Sequence, residues 1–228
     1  MSHYENAWQA VLRRIGAATL EAGRPARSVR LLAVAKTFPA EAVRAVYALG
    51  QRAFGENYVQ EAAAKRELLR DLPDVEWHLI GPLQSNKTGP AAATFDWVES
   101  VDRLKIAQRL SAQRPDAMAP LDVCVEVNVS GEALKSGVTP AETLALAKAV
   151  AVLPGLRLRG IMGVPAPTPD TALQRAQFRA LRECFDRCRE AGLAVDTLSM
   201  GMSADLEAAI AEGSTEVRVG TAIFGVRT

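Results

Sequence analysis

The protein has 228 residues, of which 49% are hydrophobic and 23% are charged. This composition is that of an ordinary globular domain and is too apolar for an intrinsically disordered chain. The 27 lysine and arginine residues nearly balance 26 aspartate and glutamate residues, so the formal charge of +1 provides no field for nucleic acid or a membrane surface. Three cysteines are too few for a disulfide framework, and two histidines without a Cys-x-x-Cys pair argue against a metal site.

Residues 1–22 combine apolar positions at helical spacing with several charges. This pattern predicts an N-terminal helix and argues against a targeting segment or a membrane span. The unpaired cysteines are typical of a reducing compartment. We therefore expect a cytoplasmic protein.

Short β-rich runs then alternate with longer helical patterns. The predicted strands are 31–35, 52–55, 76–81, 95–99, 121–129, 156–164, 197–200 and 217–219. The predicted helices that follow them are 40–49, 58–69, 87–93, 103–113, 140–153, 171–191 and 204–211. Strands that alternate with helices pair in parallel through right-handed crossovers, so eight such units predict a closed barrel.

The predicted fold class is therefore α/β, a (β/α)8 TIM-type barrel over 30–228 with an extra N-terminal helix over 1–22. Residues 1–228 then form a single domain, because no Gly-, Ser- or Pro-rich linker divides the chain. An open doubly wound sheet is the alternative. It is disfavoured because no Gly-x-Gly-x-x-Gly follows the first strand.

The fifth predicted strand alternates valines with Cys124, Glu126 and Asn128. If the valine face packs on the helices, these three side chains point into the barrel. A purely structural barrel fills its centre with branched aliphatic residues. The polar face therefore predicts a site at the barrel mouth, with an internal hydrogen-bond network as the alternative.

Lys36 ends the apolar run of the first strand, at the end of the barrel where function is located in this fold. In a partly dry mouth the ammonium form of a lysine is disfavoured, and its neutral amine can attack a carbonyl to form a Schiff base. A solvated surface lysine is the alternative interpretation.

The loops after the seventh and eighth strands are the usual phosphate site of such barrels. Ser199, Gly201 and Ser203 follow strand seven, and Gly220 and Thr221 follow strand eight. Glycines let backbone N–H groups approach a phosphate, and hydroxyl groups donate further hydrogen bonds. The two loops together predict an anion site, although Ser203 alone is equally explained as a helix N-cap.

Arg218 shares strand parity with Gly220, so its side chain is predicted to face inward. A buried arginine needs an acceptor, and a salt bridge to Glu126 or Glu216 would supply one. The sharper hypothesis places its guanidinium beside a ring nitrogen of a cofactor. The strand parity of His78 could also point its side chain into the barrel.

Motifs along nearly the whole chain resemble those of the YggS/PROSC-like pyridoxal phosphate homeostasis proteins. Two of them, WHLIGPLQSNK at 77–87 and SMGMS at 199–203, are highly specific. The others are AVAKT at 33–37, FGENY at 54–58, KSG at 135–137, RGIM at 159–162 and RVGTAIFG at 218–225.

The resemblance implies a barrel like the N-terminal domain of bacterial alanine racemase, with pyridoxal 5′-phosphate bound as an internal aldimine. The implied cofactor-binding residues are Lys36 for the aldehyde, Asn57 beside the cofactor, Arg218 at the pyridine nitrogen, and Ser199, Gly201, Ser203, Gly220 and Thr221 for the phosphate. These proteins are associated with vitamin B6 and amino-acid homeostasis, without an assigned robust activity.

Two features favour a binding protein over an enzyme, so no catalytic residue is assigned. An arginine at the ring nitrogen stays protonated and makes the ring a poorer electron sink. Alanine racemase takes its second base, a tyrosine, from an additional C-terminal domain, and this chain ends at Thr228. We expect a monomer that stores, buffers or delivers pyridoxal phosphate, with pyridoxal-phosphate-dependent apoenzymes as candidate recipients.

Two enzyme hypotheses remain as alternatives. One is a pyridoxal-phosphate-dependent racemase or lyase for a small amino acid, with Tyr58 or His78 as the second base. The other is a barrel enzyme for a phosphorylated sugar, with Lys36 as a Schiff-base lysine and no cofactor.

Overall fold

The computed structural model describes residues 3–132 and 135–225. The strands are β1 (Arg30–Val34), β2 (Ala53–Glu56), β3 (Glu76–Leu79), β4 (Trp97–Val101), β5 (Leu121–Val127), β6 (Leu156–Gly163), β7 (Thr197–Ser199) and β8 (Glu216–Val219). Each strand pairs in parallel with its neighbours in sequence, and β8 pairs with β1 to close the barrel. The predicted (β/α)8 barrel is confirmed.

The helices cover the outside of this barrel. They are α1 (His3–Glu21), α2 (Ala40–Ala48), α3 (Val59–Leu68), α4 (Thr88–Thr94), α5 (Leu104–Gln113), α6 (Thr143–Ala151), α7 (Thr171–Glu190), α8 (Leu206–Ala211) and α9 (Thr221–Phe224). The extra N-terminal helix is α1, which packs against α8 and α9. Residues 1, 2 and 226–228, at the ends of the predicted helix and domain, lie outside the described ranges. Within those ranges, no helix combines the length and apolar character that crossing a membrane requires.

Two boundaries and one additional helix that differ from the prediction have local reasons. The fourth strand begins at Trp97, because the amide of Phe95 still closes the last turn of α4 on Ala91 O. Helix α6 begins at Thr143, and a capping box forms in the turn before it, where the Thr139 and Glu142 amides each bond the other residue's side chain. Helix α9 was not predicted, since its single turn is too short for a periodic pattern.

The alternation along β5 separates two cores. Val123 and Val125 belong to the large core between the strands and the helices, whereas Cys124 packs with Trp97 and Met162 in a separate interior cluster. The predicted inward face is therefore correct for Cys124. It is wrong for Asn128, whose side chain bonds its own loop by donating to Glu132 O and accepting from Gly131 N.

The amino-terminal end of the barrel is closed by charged side chains around Trp97. His78 stacks on this indole with 4.9 Å between ring centroids, and the Arg159 guanidinium lies 4.6 Å from the indole centroid. The Asp122 carboxylate joins Arg159 at 3.1 Å. The accessible mouth is therefore the opposite end, where the strands finish and Lys36 follows β1.

Candidate functional site

Lys36 lies in a tight turn directly after β1 and is half-buried. The Ala35 amide donates to Gly55 O at 2.9 Å, so the pairing with β2 continues to the residue before the lysine. Thr37 follows with φ +67°, in the left-handed region that β-branched residues rarely adopt. The turn therefore departs sharply from the strand at Lys36.

A buried ion cluster lies behind this turn. Glu56, the last residue of β2, is fully buried and accepts from Lys65 Nζ at 2.7 Å. Burial raises the pKa of the Glu56 carboxyl to about 7, against the opposing effects of the Lys65 and Lys36 ammonium groups. The amine of Lys36 is thus close enough to Glu56 for its charge to be felt there.

Asn57 is half-buried at the end of β2, as predicted for a residue of the mouth. The backbone of Gly81 touches it so closely that a Cβ on Gly81 would lie 2.5 Å from Asn57 O. Only glycine fits at 81 without moving the β2 end, which explains the glycine in the 77–87 motif. Tyr58 comes next and is 59% exposed.

The loop after β7 lies beside β8, and the loop after β8 lies against the end of β1. Gly201 has φ +95°, a Cβ there would lie 2.5 Å from the Ala209 Cβ, and its carbonyl accepts from the Arg218 amide at 2.9 Å. A Cβ on Gly220 would lie 3.0 Å from Val34 O. The two loops are therefore neighbours, and the β8 loop lies within two residues of Lys36 in the chain, at Val34.

Ser203 and Thr221 occupy the rims of these loops. Ser203 is half-buried, and its carbonyl accepts from Arg14 Nη2 of α1 at 3.0 Å. Helix α8 begins at Leu206, so Ser203 lies before the helix and is not its N-cap. Thr221 opens α9 and is exposed. Both residues are therefore accessible in the loops that follow β7 and β8.

Arg218 points into the barrel as predicted, but its acceptors differ from those expected. Its Nη1 donates to Ser199 Oγ at 2.7 Å and its Nη2 donates to Gly163 O at 2.8 Å, so neither Glu126 nor Glu216 is its partner. The register of the strands explains these partners. Arg218 lies two positions beyond Glu216 on β8 and is level with the end of β6.

Ser199 departs from its predicted place in the phosphate loop. It is fully buried, and its single hydroxyl proton is donated to Glu99 Oε2 at 2.6 Å. Since a serine hydroxyl has one proton, Ser199 has none to donate to an anion. The geometry places it behind Arg218, as the link between the guanidinium and Glu99.

The link continues to His78, whose Nδ1 lies 2.7 Å from Glu99 Oε1. Burial by itself lowers the pKa of His78, but the carboxylates of Glu76 and Glu99 outweigh it and raise that pKa to about 9. His78 is therefore an imidazolium at neutral pH, with both ring nitrogens protonated. Glu99 and Ser199 connect His78 to Arg218.

His78, Glu99 and Glu216 are all buried, with ligand atoms within 4.8 Å of one another, a spacing that could suit a metal ion. In the metal-free protein, burial together with the Glu99 charge raises the pKa of Glu216 to about 7, which favours its protonated form. The cluster therefore holds protons at neutral pH.

Glu126 faces the mouth, as its strand parity predicts. Burial raises the pKa of its carboxyl to about 7, and the Asp102 charge adds to the effect while Arg218 opposes it. Among the described residues its Oε2 is buried without a hydrogen-bond partner.

Sequence reasoning missed Glu56, Lys65 and Glu99. Glu99 shares the strand parity of Trp97, and this parity would have placed the Glu99 side chain inside the barrel. Lys65 lies four residues after Glu61 on one helix face, a spacing that predicts their ion pair but not the contact with β2.

Comparison with known proteins places this site in a family. Residues 10–228 match the family described as alanine racemase, N-terminal domain. A pyridoxal phosphate homeostasis protein of Pseudomonas aeruginosa is 59% identical over 217 residues, which cover 95% of this chain and 93% of the relative. The protein of the same name from Vibrio alginolyticus is 52% identical over 208 residues, covering 90% and 89%. The chain belongs to the pyridoxal phosphate homeostasis proteins.

Solved structures agree with this assignment. The structure of PipY from Synechococcus elongatus, with pyridoxal phosphate bound, superposes with a TM-score of 0.81 at 40% identity and covers 94% of this chain and 100% of that one. The family resemblance and the alanine-racemase-like barrel inferred from the sequence motifs are both confirmed.

Proposed function

We propose that this member of the pyridoxal phosphate homeostasis proteins binds pyridoxal 5′-phosphate in the barrel mouth, as a Schiff base on Lys36. It thereby stores, buffers or delivers the cofactor in vitamin B6 and amino-acid homeostasis. The observation that carries the proposal is that the two loops are neighbours at the mouth: Gly201 O accepts from the amide of Arg218, and Gly220 packs on Val34 O, two residues before Lys36. PipY, which is similar over nearly the whole chain, has this cofactor bound.

The residues of the mouth fit the parts of the cofactor. The glycines at 201 and 220, here called the glycine cradle, let the backbone approach a phosphate closely, and Ser203 and Thr221 in the same loops offer hydroxyl groups. Asn57 lies on the neighbouring side, at the end of β2. When bound, pyridoxal phosphate supplies an aldehyde that a lysine amine captures reversibly.

The presence of Arg218 favours a protein that holds the cofactor over an enzyme that uses it as an electron sink. A guanidinium donates hydrogen bonds and accepts none, so a ring nitrogen facing it remains unprotonated. An unprotonated ring withdraws electrons less strongly from a bound substrate. Ser199 and Gly163 fix the guanidinium from behind, so its orientation toward the mouth is set before a ligand arrives.

The competing function is a racemase or lyase that uses Tyr58 or His78 as a second base. His78 is disfavoured because it is buried, protonated and separated from Arg218 by two side chains. Tyr58 remains the candidate, being exposed at the mouth. We further infer a cytoplasmic monomer that passes the cofactor to pyridoxal-phosphate-dependent apoenzymes, for which the exposed rim at Thr37, Tyr58 and Thr221 offers access.

The deciding experiment maps the covalent link. The purified protein is mixed with one equivalent of pyridoxal phosphate, reduced with borohydride and digested, and the modified lysine is identified by mass spectrometry. Modification of Lys36 is expected, with a visible absorption band before reduction. A label on the exposed Lys105 or Lys148 instead, or no visible band, would contradict the proposal.

Two further assays separate the other functions. A panel of small amino acids is tested for sustained turnover, and activity that Tyr58→Phe abolishes would establish the enzyme alternative. Transfer of the cofactor to an apoenzyme is followed by recovery of that enzyme's activity, with free cofactor at equal concentration as the reference.

A further inference from the structure

A small cavity lies beside the mouth, between the start of α3 and the loop that follows β3. Its volume of about 280 Å³ is below the range of about 300–1,000 Å³ that is usual for pockets of drug-sized ligands. One of its walls comes from the 77–87 motif, whose residues after Gly81 have no part in the proposed cofactor site. The size of the cavity therefore favours a small molecule, and its walls are distinct from the glycine cradle.

Both walls of this cavity are fixed by the surrounding structure. Gly81 packs against the backbone of Asn57, which holds the loop after β3 against the end of β2. Arg109 of α5 donates to Ser85 O at 2.8 Å and so anchors the short turn that carries Lys87. The polar groups of the cavity are therefore presented by backbone that is already in place.

Lys87 is the one charged residue among the described residues that line the cavity. It is half-buried, and its ammonium group has no ion-pair or hydrogen-bond partner within the described ranges. Asn57, Tyr58 and Gln84 line the same cavity, and their side chains also make no hydrogen bond to the part of the chain that the structure describes. A partly dehydrated cation without an acceptor costs free energy, so a ligand that brings an anion would be stabilised here.

The composition of the lining indicates the kind of anion. A single ammonium group balances one negative charge, and side-chain amides add N–H donors that suit the two oxygens of a carboxylate. A phosphate dianion would exceed the charge of this one cation. The remaining walls are Val59, Pro82 and Leu83, which offer apolar surface to a short hydrocarbon group. The cavity therefore matches a small monocarboxylic acid.

We propose that this cavity is a binding site for the carboxylate of a small organic acid. Lys87 is its ion-pair partner, and Gln84 is a further hydrogen-bond donor. α-Amino acids and their analogues without an amine share this carboxylate, and the experiment below separates the two sources.

Asn57 joins this cavity to the mouth. In the register of the first two strands Val34 lies opposite Gly55, and Lys36 and Asn57 each follow two residues later in the chain. An acid bound at Lys87 is therefore a neighbour of a cofactor held in the mouth. The binding itself requires no cofactor, so it is tested on the full-length chain without pyridoxal phosphate. A negative result leaves the proposed link to Lys36 untouched.

The test is a titration followed by NMR. Isotope-labelled protein is titrated at neutral pH and constant ionic strength with L-alanine, propionate and L-alaninamide, and the Kd is taken from the shifts of the amide signals of residues 81–88. L-Alaninamide keeps the size and the amine of alanine but has no carboxylate, so it is expected not to bind. Saturable binding of L-alanine alone assigns the site to amino acids, and binding of propionate alone assigns it to acids without an amine. Binding of both shows that the carboxylate suffices.

Lys87→Met removes the cation and keeps an aliphatic side chain. It is expected to weaken binding by about tenfold or more, because a charge-assisted hydrogen bond is the strongest contact that the cavity offers to a carboxylate. Gln84→Glu is expected to have a similar effect, since its own carboxylate would pair with Lys87 in place of the ligand. Lys105→Met removes an exposed lysine of α5 and is the matched control, with an unchanged Kd.

Circular dichroism shows which variants are folded. Gln84 is exposed, so its variant decides the matter if Lys87→Met does not fold. An unchanged Kd in a folded Lys87→Met or Gln84→Glu protein overturns the proposal. Failure of both acids to bind overturns it as well, as does binding of L-alaninamide with the affinity of L-alanine.

Discussion

The guanidinium of Arg218 donates to the hydroxyl of Ser199 at 2.7 Å, and that hydroxyl donates in turn to Glu99 at 2.6 Å. Arg218 is therefore oriented by a chain of buried polar groups that ends at the His78 imidazolium. The Ser199 hydroxyl and both Glu99 carboxylate oxygens are hydrogen-bonded within this chain, and such satisfied buried groups make a site rigid. The group proposed to face the cofactor ring is thus held in place by buried side chains behind it.

Ser199→Ala is expected to weaken cofactor binding without moving the covalent link from Lys36. The change removes an acceptor from Arg218 and a donor from Glu99, and leaving such buried groups unpaired costs about 1–3 kcal/mol of stability. Urea unfolding measures that loss, and titration of the visible band measures the affinity. Ser111→Ala, which removes a hydroxyl that donates to Pro154 O away from the mouth, should leave the affinity unchanged. Equal affinity in Ser199→Ala would show that Arg218 needs no support from this hydroxyl.

Gly201→Ala tests the cradle after β7. The added methyl group would lie 2.5 Å from the Ala209 Cβ on a backbone with φ +95°, so the loop must shift. We expect a loss of stability of about 1–3 kcal/mol, together with weaker binding of pyridoxal phosphate and of inorganic phosphate as a competitor.

Gly23→Ala is the matched control for this substitution. Gly23 has φ +66°, but no atom lies within 4 Å of the position of an added Cβ. Gly23→Ala therefore has the cost of a positive φ without a steric clash, and it lies away from the mouth. If both variants bind phosphate equally well, the loop at 201 does not form the anion site.

The barrel and the outline of the mouth could be predicted from the sequence, because both follow from local patterns. A strand's periodicity and the residue at its end are readable along the chain, which is why Lys36, Gly201 and Gly220 were predicted in place. The partners of Ser199 were not readable. Ser199 and Glu99 are 100 residues apart, and their contact depends on how the strands are staggered around the barrel.

Lys65 illustrates the same limit from the helical side. Its helix has no strong apolar stripe, and a lysine after three alanines is typical of a solvated face. It is buried because α3 packs its aliphatic chain over the β1–β2 edge, where Ala35 O and Glu56 supply acceptors. No pattern within α3 carries that information.

Glu126→Gln is expected to change how stability depends on pH. The folded-state pKa of about 7 lies above the ordinary value of 4.5, so the folded protein binds the proton more tightly than the unfolded chain. The free energy of unfolding should therefore fall as the pH rises from about 4.5 to 7, by up to about 3 kcal/mol for this group. The glutamine cannot ionise, so the variant should match the wild type near pH 4.5 and exceed it near pH 8.

Urea unfolding at both pH values measures this difference, with the exposed Glu183→Gln as the control. A Glu126→Gln protein that is no more stable than the wild type at pH 8 would mean that the Glu126 carboxylate is compensated in the folded state.

His78→Gln is expected to remove a stabilisation that disappears at alkaline pH. Its folded-state pKa of about 9 lies above the ordinary value of 6.5, because the Glu76 and Glu99 carboxylates outweigh its burial. The stabilisation is therefore complete below about pH 6.5 and is lost as the pH rises through 9, a change of about 3 kcal/mol. The variant should be less stable than the wild type at pH 6.5, and the difference between them should narrow toward pH 9.5. The exposed His3→Gln is the matched control and should follow the wild type at every pH. A His78→Gln deficit that stays constant from pH 6.5 to 9.5 would show that the imidazole contributes by packing on Trp97 and not by its charge.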